Sequence, residues 1–396
     1  MNAALATSEA NPSTRSEMRH VLCVVRYPVG GIRTHLRYNL GYLSEHGYRF
    51  TFVVPEETNA EPLSVTLGDL PDADFVTVPG RGAACRLAPT IRRLVRERSF
   101  DVVHSHGFTS AMQVVFGTFG RRLPHLATIH DVVRPAQFPG WLGWLKRTAL
   151  GWVLRQVDTI IPVGDDVRAN LLEQLSPLRQ RAARLVTIRN GIDATHHSRT
   201  HQPASELRHE LGLAPGIPLW GFLGRFMEQK GFVPLVEALT LLRQRHPEAQ
   251  FHLVAFGAGD HRIAYQRRVA ELGLSDCVTF RPFVPDIAPI LQQLDLLLMP
   301  SQWEALALLP MEAMVAGVPV LGTDCIGLRE ILRDTPSRTT RVGDRESLVA
   351  GLLDACRNPW NEAAREFAPE AARRFDNTTP ARQLLEQLDE LTRRRA

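Results

Sequence analysis

The chain has 396 residues, 44% of them hydrophobic and 22% charged, with a formal net charge of +4. That length exceeds one ordinary core and suits two domains, and the composition excludes a disordered chain. The cationic excess comes from scattered arginines, which suits phosphorylated substrates or an anionic membrane surface; no dense basic block marks a nucleic-acid partner.

Residues 1–17 are small and polar, lack the apolar core of a secretory signal, and are expected to form a disordered leader. From residue 20 onward short β-branched runs alternate with amphipathic stretches, the pattern of β-α-β units around a parallel sheet covered on both faces. Strands are expected at VLCVV (21–25), FTFVV (50–54), FVTV (75–78), DVVH (101–104), LATIH (126–130), TIIPV (159–163) and LVTI (185–188). A helix over about 33–45 is stopped by Gly47. Asp72-Ala73-Asp74 has the spacing of a metal-binding acidic pair, but it stands before a strand and reads as an acidic turn. Segment 141–153 places Trp141, Leu145, Ala149 and Trp152 along one helical stripe, with Lys146, Arg147 and Arg155 at its flanks. Packing of that stripe on the N-terminal sheet is the expected arrangement, with peripheral contact to an anionic membrane as the alternative.

After Asn190-Gly191-Ile192-Asp193 the polar run ATHHSRTHQPAS breaks the periodicity and reads as a linker. Its His196, His197 and His201 lack an acidic or cysteine partner nearby in sequence and read as solvated loop, not metal ligands. A second α/β series follows at LWGFLG (219–224), FHLVAFG (251–257), CVTF (277–280), LDLLLMP (294–300) and VPVLG (318–322). The expected division is a leader at 1–17, an N-terminal Rossmann-like domain at 18–195, a C-terminal one at 196–378, and a terminal helix at 379–396 returning to the first domain. The five cysteines, Cys23, Cys85, Cys277, Cys325 and Cys356, form no C-x-x-C pair, so neither a zinc site nor a disulfide framework is expected. No stretch offers the roughly 18 charge-free apolar residues of a spanning helix, and a cytoplasmic protein, with peripheral membrane contact as a variant, is the expectation.

In open α/β sheets ligands bind beyond the carboxyl ends of the strands, where unpaired amides and helix dipoles attract anions. The run Gly224-Arg225-Phe226-Met227-Glu228-Gln229-Lys230-Gly231 directly follows a strand. Its forked Arg225 and mobile Lys230 could clamp a diphosphate; read alone, the same cations could simply be solvated. In the run from Pro300, Glu304 lies in a loop and Glu312 just inside a helix that Pro310 starts and Gly317 with Pro319 ends. Two acids bracketing an apolar loop suit hydroxyl recognition, with the amides of 301–309, Ala307 and Leu308 among them, facing the ligand. A simple dehydrogenase is set aside, because G-x-G-x-x-G followed by an acidic residue is missing after the first strand of either half.

These residues resemble the retaining family-4 glycosyltransferases (glycosyl transferases group 1) of GT-B fold. The E-x7-E element of that family matches Glu304 and Glu312, in the frame P-S-x-x-E followed by E-A-M-x-x-G-x-P-V, and its phosphate loop matches Gly224-Arg225 and Lys230-Gly231. Asn190-Gly191-Ile192-Asp193 matches the segment joining the domains, and Gly30-Gly31, Asp101-Val102-Val103-His104-Ser105-His106 and Thr128-Ile129-His130-Asp131 match N-terminal motifs, so the resemblance runs from about 20 to 375. It implies an α/β, GT-B architecture, two Rossmann-like domains with parallel sheets facing across a cleft. It implies further that Glu312 holds the ribose hydroxyls and that Glu304 contacts the transferred sugar. Arg225 and Lys230 would stabilise the diphosphate leaving group, so that neither metal nor cofactor is needed beyond a nucleotide-diphosphate sugar as co-substrate. His130 would lie near the sugar or the transfer point, the alternative being a neutral core histidine. Gly30, Gly31, Gly224, Ala307 and Leu308 would complete the donor site. The implied reaction moves a sugar to a hydroxyl acceptor, lipid-linked acceptors included, with retention, in cell-surface polysaccharide or glycolipid synthesis. Another GT-B enzyme, such as a nucleotide-sugar epimerase or an inverting transferase, and a non-catalytic nucleotide-sugar scaffold stay open. Ala305 and Ala307 stand where the family often has glycine, which leaves the sugar unassigned.

Overall fold

A computed structural model of the chain describes residues 18–28, 30–56, 63–68, 70–79, 83–198 and 206–394. The expected leader and His201 lie outside the described residues. The first half holds β1 (Arg19–Val25), β2 (Tyr48–Pro55), β3 (Ala73–Val78), β4 (Val102–His106), β5 (His125–Ile129) and β6 (Thr159–Pro162). They form one parallel sheet in the order β3-β2-β1-β4-β5-β6. Helices cover both faces, which is why β1, β4 and β5 are buried along almost their whole length and read as unbroken apolar runs.

The second half repeats the winding. Strands β7 (Leu219–Leu223), β8 (His252–Phe256), β9 (Val278–Arg281), β10 (Leu296–Met299), β11 (Val320–Thr323) and β12 (Arg338–Thr340) form a parallel sheet in the order β12-β11-β10-β7-β8-β9. The strand order reverses between β1 and β4 in one sheet and between β7 and β10 in the other. Those are the places where an open α/β sheet leaves a crevice for a ligand.

One strand expectation needs correction, and one strand was not expected. Residues 185–188 make only an isolated bridge, Leu185 to Ile160. The amides of Val186 and Ile188 donate to the carbonyls of Ile160 and Pro162, at 2.9 and 3.2 Å. The reciprocal bond would have to come from the amide of residue 162, and proline has none, so the ladder stops. Strand β12 was not anticipated: its Arg338-Thr339-Thr340 sequence is short and largely exposed, with no apolar run.

The chain crosses between the halves twice, and the crossings lie side by side. Ile192 donates its amide to Phe375 at 2.8 Å, and Asn377 donates to Ile192 at 3.0 Å. The backbones are so close that a Cβ on Gly191 would stand 2.6 Å from Asn377 Cα. Beyond the second crossing the helix Thr378–Arg393 packs against the helix Gly31–Glu45, and its Leu384, Leu388 and Leu391 join Val21, Leu36 and Leu40 in one core. Tyr48 donates to Asp389 Oδ1 at 2.6 Å, and Arg19 pairs with the same carboxylate. A separate apolar cluster spans both halves, taking Ile129, Val163 and Ile192 together with Leu306, Leu308 and Met311.

The tryptophan stripe does not pack on the sheet as expected. In the helix Gly140–Leu154 the buried positions are Gly143, Gly151 and Leu154, while Trp141, Leu145 and Trp152 are all at least half exposed. Close approach occurs at the glycines: a Cβ on Gly151 would lie 2.8 Å from the Pro177 ring, so this face fits tightly and the bulky residues point outward. Among the described residues no helix is long and apolar enough to cross a membrane.

Candidate active site

The loops leaving β7 and β10 are locked together by backbone contact. Gly231 has φ 71°, and a Cβ there would stand 1.9 Å from the Pro300 carbonyl oxygen, so only glycine fits. Gln302 donates its amide to the Gln229 carbonyl at 2.8 Å, and the Gln229 side chain donates to the Trp303 carbonyl at 2.8 Å. This lattice places Lys230 Nζ 2.7 Å from Glu304 Oε1, which also accepts from Ser301 Oγ at 2.7 Å. The Glu304 side chain is 8% exposed and that of Lys230 24%. Arg225 lies exposed on the same loop, with no hydrogen bond or ion pair among the described residues. It is a cation facing solvent beside a paired one.

Glu312 sits in the first turn of the helix Leu309–Val315, where Pro310 starts the helix as expected. It is buried, and desolvation, partly opposed by His196, pushes its carboxyl up to about 7. Its neighbour corrects the reading of the histidine-rich run. His197 is buried, with Nε2 3.7 Å from Glu312 Oε1, and burial pushes its imidazole down to about 4. His196 is solvated as expected but pairs with Asp286 at 3.0 Å. The two histidines belong to a one-turn helix, Ala194–His197, which Asp193 caps by accepting from the His196 amide at 3.0 Å. Tyr38, from the N-terminal half, stands close enough to Glu312 for that carboxylate to help raise its phenol to about 12, after burial.

Across the cleft, Gly30 has φ 59° at the start of the helix Gly31–Glu45, and a Cβ on Gly31 would meet Leu308 Cδ1 at 3.9 Å. Asn190 donates to the Leu306 carbonyl at 3.0 Å. Gly30, Gly31, Ala307 and Leu308 therefore come together. His130 follows β5 and is half-buried, with Nε2 3.2 Å from His106 Nδ1 and its ring 4.6 Å from that of His35. Burial holds all three imidazoles below their ordinary value, so they are neutral at pH 7. Their ligand atoms lie within 4.8 Å of one another, as do those of Cys23, His104 and His106, spacings within reach of a metal ion that accepts imidazole. Asp131, beside His130, is held above the usual carboxylate range by desolvation, with Glu304 adding to the effect.

Other contacts across the halves had not been anticipated. The Arg134 guanidinium lies over the Trp303 ring at 3.6 Å, beside a cavity of about 270 Å³ lined also by Asn170, Gln302 and Ile326. Glu330 accepts from the amides of Asp165 and Asp166 at 3.1 and 3.0 Å, capping the helix Asp165–Gln174 from the opposite half, and Arg329 bridges to Asp166 at 2.8 Å. These partners are more than 160 residues apart in sequence, and nothing local signals them. The loop after β8 was legible but overlooked: Gly257-Ala258-Gly259 follows a strand, and a Cβ on Gly257 would lie 1.9 Å from the Gly224 carbonyl oxygen. The Asp72-Ala73-Asp74 run stands apart from these loops, with Asp72 at φ 57° in the turn before β3 and Asp74 3.4 Å from Arg98.

Comparison with known proteins bears on these features. Residues 29–196 match the model for Glycosyltransferase Family 4, and residues 217–358 match that for Glycosyl transferases group 1. A D-inositol 3-phosphate glycosyltransferase of Nocardia farcinica is 31% identical over 276 residues, which are 63% of this chain and 58% of that protein. An alpha-maltose-1-phosphate synthase of Mycobacterium tuberculosis is 29% identical over 252 residues, 59% of this chain and 62% of that one. The match thus spans about three fifths of each relative's length. Among solved structures, a sucrose-phosphate synthase of Thermosynechococcus elongatus superimposes with a TM-score of 0.78 at 18% identity, covering 94% of this chain and 99% of that one. Anabaena HepE in complex with UDP and glucose gives 0.77 at 19% identity, covering 94% and 100%. The fold is GT-B, with the two sheets as its Rossmann-like halves. With one family domain in each half, the chain belongs to the family-4, group-1 glycosyltransferases.

Proposed function

We propose that the chain transfers a sugar from a nucleotide-diphosphate sugar to a hydroxyl acceptor, with retention at the anomeric carbon and without a metal. The observation that carries the reading is the convergence of Lys230, Glu304 and Glu312 on the carboxyl ends of β7 and β10, opposite Gly30, Gly31 and His130. Lys230, held against Glu304, and Arg225, exposed on the same loop, offer the positive charge that a departing diphosphate needs. Glu312 takes the ribose hydroxyls and Glu304 the transferred sugar. The neutral His130 donates or accepts a hydrogen bond at the sugar without placing a second positive charge beside the cationic anomeric centre that develops there. In a front-face reaction the bond from C1 to the phosphate oxygen breaks, the acceptor oxygen bonds to C1 on the same face, and the acceptor proton passes to the departing phosphate. Two relatives are named for phosphorylated sugars or inositol, and HepE was solved with UDP and glucose. These names favour a UDP-sugar-type donor and a polyol or sugar acceptor of the kind used in polysaccharide or glycolipid assembly.

A thermal-shift panel of UDP, GDP, ADP and CDP sugars tests the donor, because a ligand that binds only the folded state raises its stability by mass action. At about 100 times Kd the expected gain is about 2.7 kcal/mol. No shift with any of the four at millimolar concentration would overturn the donor reading. The anomeric configuration of the product, read by NMR, tests retention, and an inverted product would refute it.

A further inference from the structure

We propose that the helix Gly140–Leu154 and the adjoining turn at 116–122 form a docking face for an anionic lipid bilayer. Large aromatic side chains are normally well covered, yet here Trp141 is 74% exposed, Trp144 58%, Trp152 53% and Phe119 79%. The helix Phe108–Gly117, which leads to Phe119, packs beside the helix Gly140–Leu154, so the exposed aromatic residues belong to two neighbouring elements of the same half. The exposure follows from the packing described above: the helix meets the domain through Gly143, Gly151 and Leu154 and leaves its bulk outside.

Charge identifies the partner. From residue 107 to residue 157 the chain carries six cations, Arg121, Arg122, Arg134, Lys146, Arg147 and Arg155, against one carboxylate, Asp131. Arg134 is engaged over Trp303 in the cleft, while Arg121, Arg122 and Lys146 are exposed in the same two segments as the aromatic residues, Arg121 also donating to the Val95 carbonyl at 2.8 Å. Arg155 lies 4.8 Å over the Trp152 ring. A protein partner would need an acidic patch of its own to match these cations, whereas an anionic bilayer offers that charge over its whole surface. Tryptophans rimmed by long-stemmed cations and almost free of acids match the headgroup region of an anionic bilayer, where the rings sit at the acyl boundary and the cations reach the phosphates. The helix also follows on the segment 131–139 that leaves His130, so nine residues of chain separate the face from the histidine of the candidate site.

The test is co-sedimentation of the full chain with vesicles of phosphatidylcholine containing about 30% phosphatidylglycerol, against vesicles of phosphatidylcholine alone, with no sugar donor present. The expected result is binding to the anionic vesicles that weakens as salt screens the cations. The doubly substituted chain, Trp141→Ser with Trp144→Ser, should lose about tenfold or more in partitioning while melting at the parent temperature, since both side chains are exposed. No binding to anionic vesicles at low salt overturns the proposal, as does equal binding by the substituted chain. A parent that sediments as a dimer, which the substitutions return to monomer without any vesicle binding, overturns it too and assigns the face to a second copy. Failure here leaves the donor reading standing, because that reading is tested by nucleotide sugars alone.

Discussion

Replacing Lys230 by methionine separates two roles that the 2.7 Å contact with Glu304 combines. Glu304 is nearly sealed, and without the ammonium its carboxylate keeps, among the described residues, the Ser301 Oγ donor. Removing one partner of a buried pair costs about 3–5 kcal/mol. The partial exposure of Lys230 lowers that to about 2–3 kcal/mol, because water already screens part of the attraction. For a domain of this size each kcal/mol moves the melting temperature by about 2–4 °C. Lys230→Met should therefore lower the melting temperature of the C-terminal half by roughly 4–12 °C. Glu304→Gln should cost less, about 1 kcal/mol, since the amide still accepts from Ser301 and the lysine can reach water. The double variant leaves no uncompensated charge and should recover to within about 1 kcal/mol of the parent, a coupling that a double-mutant cycle in thermal melts reads directly. Turnover should not recover with it: if Lys230 faces the leaving group as proposed, its loss costs on the order of 10²-fold, in the single and double variants alike. A Lys230→Met protein that melts with the parent would refute the stability argument. A double variant with parental turnover would refute the catalytic one.

Two further outcomes follow from the geometry. Glu312 has a folded pKa of about 7 against an ordinary 4.5, so the folded state holds more protons across that window. Its contribution to stability is therefore present at low pH and lost as pH rises through about 7, and Glu312→Gln should flatten that part of the stability profile in melts from pH 5 to 8. If the ionised form holds the ribose, affinity for an intact nucleotide sugar should rise up to about tenfold per pH unit below 7, and calorimetric titration that finds no pH dependence would refute the role. Gly231→Ala forces a Cβ against the Pro300 carbonyl at a positive φ and should cost about 3 kcal/mol or more, with loss of nucleotide-sugar binding. Gly30→Ala, at a positive φ but with no atom within 4 Å of its Cβ, should cost only about 1–2 kcal/mol; equal melting losses for the two would refute the close-contact argument.

Much of the fold was legible because both sheets are covered on two faces, which writes each central strand as an apolar run. It failed where pairing depends on a partner. The Val186-Thr187-Ile188 pattern suits a strand, but whether it pairs was decided by Pro162, and β12 is an edge strand with no apolar residue to announce it. In the site, the spacing of Glu304 and Glu312 and the Gly224–Gly231 loop could be read locally. The contact between Lys230 and Glu304 joins residues 74 positions apart, and Glu330 reaches Asp165 across 165. His197 looked solvated because its neighbours in sequence are polar, while its surroundings in space, with Glu312, are sealed. The tryptophan helix misled for the opposite reason: an apolar stripe predicts burial, but the glycines made the close contact.

The paired crossings at 191–192 and 375–377 set how the two halves can move. Two backbone segments bonded edge to edge behave as a flexure, compliant to bending across their shared width and stiff to twisting, since a twist would shear the hydrogen bonds between Ile192 and its two partners. The two chain crossings therefore act as one joint rather than as two independent tethers. That joint lies between the halves whose Gly31 and Leu308 surfaces meet, so the register of those surfaces is tied to the register of the crossings.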